Sequence, residues 1–154
     1  MWINHTVVLE NIRSVYNVGN VLRTADALWR DVVFTGYTAT PESNPRVKKT
    51  SLGAEEAVNW RAFSTSEEAI ATLRTEWYEI VAAEVADNAI PLGEFSKRSQ
   101  NKKPLAVIFG NEVVGVEADT LWMVDQIVAI PMKGTKESLN IGQSAAIFMW
   151  ELGE

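Results

Sequence analysis

The 154-residue chain has no cysteine and a single histidine, His5. Without thiols there are no disulfides, no thiolate zinc centres and no cysteine nucleophile. One imidazole excludes a multi-histidine metal site and leaves any histidine triad resting on His5, which reads as a surface or edge residue before a strand. No metal is expected. No segment reaches the roughly 18 uncharged apolar residues that span a bilayer, so no membrane association is expected. The amino end "MWINHTVVLENIR" lacks the basic start and small-residue cleavage site of a signal peptide, and the expected location is cytoplasmic. Phosphate-binding fingerprints are missing too. Only Gly19 follows the first strand where G-x-G-x-x-G would be needed, and "MKGTKES" places Gly134 and Lys136 without P-loop spacing.

What is present suits one compact domain over 1–154: 47% of the residues are hydrophobic, enough for a real core. The net charge of -6 argues against nonspecific coating of nucleic acid, because phosphate binding depends on clustered cations. The charge is uneven. Acidic residues crowd Glu55 to Glu94, whereas "NPRVKK" gathers Arg46, Lys48 and Lys49, and "FSKRSQNKK" gathers Lys97, Arg98, Lys102 and Lys103.

Strand-like runs recur as "TVVLE" (Thr6 to Glu10), "VVFTG" (Val32 to Gly36), "YEIVAAEVA" (Tyr78 to Ala86), "LAVIFG" (Leu105 to Gly110) and "QIVAIPM" (Gln126 to Met132). Helical patterns lie between them. Val21, Ala25 and Leu28, flanked by Leu22 and Trp29, form the apolar stripe of the first, with Asn17 as its expected N-cap; Ser66 is expected to cap "EEAIATLRTE", and "VEADTLWMV" is short. The alternation predicts an α/β fold, a mainly parallel sheet with helices on both faces. The last segment, "SLNIGQSAAIFMWELGE", is apolar on nearly all sides and must be covered by the domain, by a second subunit, or by both. "YTATPESNPRVKKTSLG" reads as a long loop, a class often tied to function.

Three segments combine polar turns with helix starts: "NIRSVYNVGNVLRTADA", "VIFGNEVVGVE" and "IPMKGTKESLNIGQSAA". In the last two a strand ends in a polar turn, where open α/β sheets bind ligands. In the first, Asn20, Arg23 and Ala27 share the face opposite the apolar stripe. The plain reading of Arg23 is a solvated side chain paired with Asp26.

In order and spacing, the three segments resemble the three motifs of the SpoU-type (TrmH-like) RNA 2'-O-ribose methyltransferases of the SPOUT superfamily. "N-x-x-S-x-x-N-x-G-x-x-x-R-T-A-D-A" (Asn11 to Ala27) resembles the first, "I-F-G-N-E-V-x-G-V" (Ile108 to Val116) the second, and "I-P-M-x-G-x-x-x-S-L-N" (Ile130 to Asn140) the third. The resemblance implies a carboxyl-terminal deep trefoil knot, a rare exception to the unknotted rule. It further implies a homodimer, the cofactor S-adenosylmethionine, and an RNA substrate, tRNA or rRNA. An inactive RNA-binding protein of the same fold is the alternative.

Carried over residue by residue, the resemblance makes Arg23 the catalytic arginine with Asn17 as its companion. Glu112 matches the motif-two glutamate, and Ser138 and Asn140 the polar pair of motif three. Gly110, Ile130, Met132, Ser138 and Leu139 would line the cofactor, with Ala86 at the end of its strand in the same wall. Because guanidinium keeps its proton, Arg23 is expected to hold phosphate or stabilise a developing alkoxide, oriented by Glu112 and Asn17. RNA would lie on the dimer surface against Arg13, Arg23, Arg46, Lys48, Lys49 and the Lys97 to Lys103 patch. Two departures stand out. Gly142 occupies the first turn of the last helix, where glycine costs about 1 kcal/mol against alanine unless close packing demands it. Trp29 stands where the family often has glycine, and is expected to fill core.

Overall fold

The structure, a computed structural model, describes residues 3–99 and 103–153. Lys102 of the second basic cluster lies outside them. Along the chain run β1 (Thr6–Glu10), α1 (Val15–Leu28), β2 (Asp31–Thr35), α2 (Arg46–Ser51), α3 (Ala54–Ala57), β3 (Asn59–Phe63) and α4 (Ser66–Thr75). Then come β4 (Glu79–Ala83), β5 (Ile90–Pro91), α5 (Leu92–Ser99), β6 (Leu105–Phe109), α6 (Ala118–Met123), β7 (Gln126–Ala129) and α7 (Ile141–Leu152).

The strands form one sheet in the order β3-β2-β1-β6-β4-β7-β5, every pair parallel. The central strands β1 and β6 are buried along their whole length, which is why they read as unbroken apolar runs. Alternation along the strands splits the interior in two. Val7, Leu9, Val107 and Phe109 pack with α1, α5 and α7 residues such as Leu22, Phe95 and Phe148. Val8, Ala106 and Ile108 face the other way, onto Ala69, Ile70 and Leu73 of α4. At β1 and β6 the connections diverge to opposite halves of the sheet, so the loops leaving these two strands meet at a topological switch point.

Several boundaries differ from the sequence reading. β4 stops at Ala83 and β7 at Ala129, which moves Ala86, Ile130 and Met132 onto loops. Glu84 N–H still donates to Val128 O (3.1 Å) while its carboxylate accepts from Val116 N–H (2.9 Å), and Pro131 brings no N–H to extend β7. The supposed long loop contains α2, and the basic "FSKRS" stretch is the end of α5, docked on α7 by Ser96 Oγ donating to the Glu151 carbonyl (3.1 Å). Ser14, whose Oγ accepts from Asn17 N–H, is the N-cap of α1, and Thr65, not Ser66, caps α4. Leu28 is exposed, so the α1 stripe runs through Val18, Val21, Leu22 and Ala25 to Trp29. Trp29 is buried as expected, its Nε1 donating to the Met149 carbonyl at 3.0 Å.

Gly19 and Gly142 mark close approaches. A Cβ on Gly19 would lie 1.8 Å from Thr50 Oγ1, so glycine lets α1 and α2 touch. A Cβ on Gly142 would lie 3.4 Å from Asn20 Cβ and 3.2 Å from Asn140 Oδ1, which ties its unfavourable helical propensity to the α1–α7 contact. α7 buries Ile141, Ala145, Phe148 and Met149 and leaves Gln143, Ile147 and Trp150 as an exposed stripe.

Candidate active site

Asn17, Glu112 and Asn140, one residue from each motif, converge on the start of α1. Glu112, in the turn after β6, accepts from Arg13 N–H and Ser14 N–H, each at 2.8 Å. A helix start offers unpaired N–H groups and a partial positive charge, so a carboxylate docks there readily. Burial disfavours the charged carboxylate, but the Arg13 and Ser14 amides and the Asn17 side chain outweigh it and hold the Glu112 pKa below its ordinary 4.5. Asn17 donates through Nδ2 to Glu112 Oε2 (3.1 Å) and accepts through Oδ1 from Asn140 Nδ2 (3.2 Å). Asn140 in turn caps α7, its Oδ1 accepting from Gly142 N–H at 2.8 Å. Each amide thus has its two ends fixed by different partners.

Arg23 is elsewhere. It follows Asn17 by six helical positions, about 9 Å along the axis and roughly 240° around it. Its side chain is exposed and borders an open depression of about 350 Å³ shared with Asp26, Ser51, Leu52, Gly53 and Ala54. Arg23 makes no hydrogen bond or ion pair among the described residues, so neither the expected pairing with Asp26 nor orientation by Glu112 and Asn17 occurs within one chain. The partners of Asn17 are Glu112 and Asn140.

The expected cofactor wall lies at the carboxyl ends of β4, β6 and β7. Ala86, Gly110, Ile130, Met132 and Leu139 are all half-buried, whereas Ser138 is exposed. Residues 131–139 make no hydrogen bond among the described residues, leaving that loop's backbone groups uncommitted. Gly110 is bare for a reason internal to the fold: a Cβ there would lie 2.1 Å from Val116 N. Of the basic residues, Arg13, Arg46, Lys48, Lys49, Lys97 and Lys103 are exposed, and Arg98 is ion-paired with Glu94 one turn away.

Sequence reasoning missed the frame behind this cluster. Asn11, at φ 52°, donates from Nδ2 to Glu117 Oε1 (2.8 Å) and accepts from Tyr37 N–H (3.1 Å). Asn111 donates to the Asn11 carbonyl (2.9 Å) and the Tyr37 hydroxyl (2.7 Å), while its Oδ1 accepts from Val113 N–H and Val114 N–H. Glu10, buried at the end of β1, accepts from Ser66 Oγ (2.6 Å), Glu117 N–H (2.9 Å) and Thr120 Oγ1. An Asn or Glu directly after an apolar strand run was the available signal.

The SpoU rRNA Methylase family profile matches residues 4–150. The chain is 31% identical over 147 residues to the tRNA (guanosine(18)-2'-O)-methyltransferase of Thermus thermophilus, covering 95% of this chain and 72% of that protein. Against the Escherichia coli K12 enzyme of the same name identity is 29% over 147 residues, covering 95% of this chain and 61% of that protein. The chain therefore spans about three fifths of that relative's length. The AdoMet-bound rRNA methyltransferase of Sinorhizobium meliloti matches with a TM-score of 0.86 at 25% identity, over 97% of this chain and 55% of that one. With one residue of each motif joined at the start of α1 and residues 4–150 matched by the family profile, the chain belongs to the SpoU rRNA Methylase family.

Proposed function

We propose that this chain is an S-adenosylmethionine-dependent methyltransferase acting on a ribose 2'-hydroxyl of tRNA or rRNA, in the cytoplasm and as a homodimer. One methyltransferase domain spans 1–154, and its carboxyl-terminal part forms a trefoil knot. The observation that carries the reading is the hydrogen-bonded chain from Asn140 through Asn17 to Glu112, which joins all three motifs. A family profile over residues 4–150 and relatives named as tRNA 2'-O-methyltransferases support the same reaction.

The residues fit the cofactor. Half-buried Ala86, Ile130, Met132 and Leu139 offer apolar surface for an adenosine, and Gly110 and the uncommitted backbone of residues 131–139, with Ser138 on that loop, offer polar edges. The bound cofactor supplies an electrophilic methyl group on a sulfonium. Glu112, Asn17 and Asn140 fix the start of α1 against the motif-three loop, which sets the position of both walls of the site. Arg23 holds a substrate phosphate or the developing alkoxide, since guanidinium retains its proton and presents a fork to oxygen anions.

Because Arg23 lies around α1 from Asn17, the site is completed by Arg23 of the partner subunit. The exposed Ile147 and Trp150 stripe on α7 beside α1 is an apolar surface suited to a two-fold contact. The knot reading is supported at β7, which lies between β4 and β5 although residues 84–89 join those two strands directly. Glu84 N–H donates to Val128 O, and Ile90 is also in register with Val128, so the connection bridges the carboxyl end of β7 where the chain leaves for α7.

Incubation with labelled AdoMet and total RNA, followed by nuclease digestion, tests the activity. Label recovered in a 2'-O-methylnucleoside is the expected result; cofactor binding with no label in RNA would leave the inactive RNA-binding alternative.

A further inference from the structure

Tyr37 is 62% exposed and yet fixed at both ends. Its N–H donates to Asn11 Oδ1 (3.1 Å), and its hydroxyl accepts from Asn111 Nδ2 (2.7 Å). The turn that carries it is strapped to the loop after β1: Asn11 N–H donates to Thr35 O (3.3 Å), Ile12 N–H to Thr38 Oγ1 (2.9 Å), and Thr38 Oγ1 to Leu9 O (2.9 Å). Gly36, at φ 64°, has no room for a Cβ, which would lie 1.8 Å from Asn11 Oδ1. Burial does not account for so ordered a ring.

Asn111 is the residue before Glu112, so the amide that pins the Tyr37 hydroxyl also begins the motif-two turn. The same Asn111 holds Val113 and Val114 by their N–H groups, and both valines are more than 70% exposed. The connection leaving Tyr37 runs into α2, where exposed Arg46 and Lys49 make no ion pair among the described residues. A rigid exposed ring, exposed apolar side chains on the turn held by the same Asn111, and cations without an ion pair among the described residues are the features that hold an unpaired base while its backbone is neutralised.

We infer that Tyr37 is a stacking platform for an unpaired nucleobase of the RNA, resting on the proposed RNA-methyltransferase reading of this site. Val113 and Val114, on the turn held by the same Asn111, offer further exposed apolar surface. The RNA segment reaching the site is then single-stranded, a loop or a bulge, since a base inside a duplex has no free face.

The test uses the whole chain and two variants, Tyr37→Leu and Tyr37→Phe, with AdoMet affinity and thermal midpoint measured for each as controls of folding. A short unstructured RNA carrying 2-aminopurine reports stacking by fluorescence quenching and binding by anisotropy. The wild type and Tyr37→Phe quench the probe; Tyr37→Leu loses the quenching and binds roughly 10-fold more weakly, the scale of one lost base–aromatic stack. With total bacterial tRNA as methyl acceptor, KM rises by a similar factor in Tyr37→Leu and kcat moves far less. Equal quenching and equal KM in wild type and Tyr37→Leu would overturn the inference. Tyr37-dependent quenching by a wild type that transfers no methyl group supports the stack and defeats the methyltransferase reading. Methyl transfer indifferent to residue 37 does the reverse.

Discussion

Asn140 Nδ2 donates to Asn17 Oδ1 across 3.2 Å, joining two residues 123 positions apart. Through it the N-cap of α7 is tied to the first turn of α1, and through Asn17 Nδ2 to Glu112. If this chain of amides sets the site, Asn17→Ala and Asn140→Ala do not act independently. Each single variant removes two side-chain hydrogen bonds and costs about 1 to 3 kcal/mol of stability, the usual scale for two lost hydrogen bonds. In methyl-transfer rates, the double variant is expected to lose less than the sum of the singles by about 1 kcal/mol or more. Strict additivity in a double-mutant cycle would separate the two residues.

Glu112 makes the acid limb of stability testable. Its folded pKa lies below 4.5, so the unfolded chain takes up the proton more readily. The contribution is complete above about 4.5 and is lost as pH falls through the lower folded value. Thermal unfolding followed between pH 6 and pH 3 is expected to fall less steeply for Glu112→Gln than for the wild type.

His5 adds a second limb at higher pH. Its Nδ1 accepts from Leu105 N–H at 2.9 Å, where a protonated ring nitrogen could not. Burial lowers its pKa below 6.5, outweighing a backbone hydrogen bond with Leu152 that favours the proton. The neutral ring therefore contributes fully above about 6.5, and that contribution is lost as pH falls through the lower folded value. His5→Asn, which keeps an acceptor and removes the titration, is expected to flatten this part of the stability profile.

Gly19→Ala tests the contact of α1 with α2. A methyl group would overlap Thr50 at both side chain and backbone, with Thr50 C at 2.8 Å, so α2 must move. The expected cost is about 1 to 3 kcal/mol despite alanine's better helical propensity, read as a lowered thermal midpoint. An unchanged or raised midpoint would mean that α2 yields freely.

Much of this was legible in the chain, for reasons visible in particular residues. β1 and β6 are buried on both faces, so their apolar runs stood out, whereas β3 is an edge strand whose "NWRAF" alternates weakly and leaves Asn59, Arg61 and Ala62 exposed. α2 was hidden because Pro45 and two lysines read as a basic loop, although Pro is well tolerated where a helix begins. The motif residues Asn17, Glu112 and Asn140 were legible individually. Their mutual bonds were not, because those depend on which loops the sheet order brings together. Asn17 and Arg23 share motif one, yet helical periodicity places Arg23 around the helix from Asn17, so within one chain Glu112 and Asn17 do not orient it.

Subunit mixing tests the central claim most directly, that Arg23 of one chain completes the Glu112 site of another. Arg23→Ala and Glu112→Gln are each expected to lose methyl transfer to RNA while keeping AdoMet binding. Unfolded together and refolded as a mixture, they should recover about a quarter of the wild-type activity, because half of the random dimers contain one intact composite site. A mixture as inactive as either parent, with heterodimers verified, would contradict a shared site.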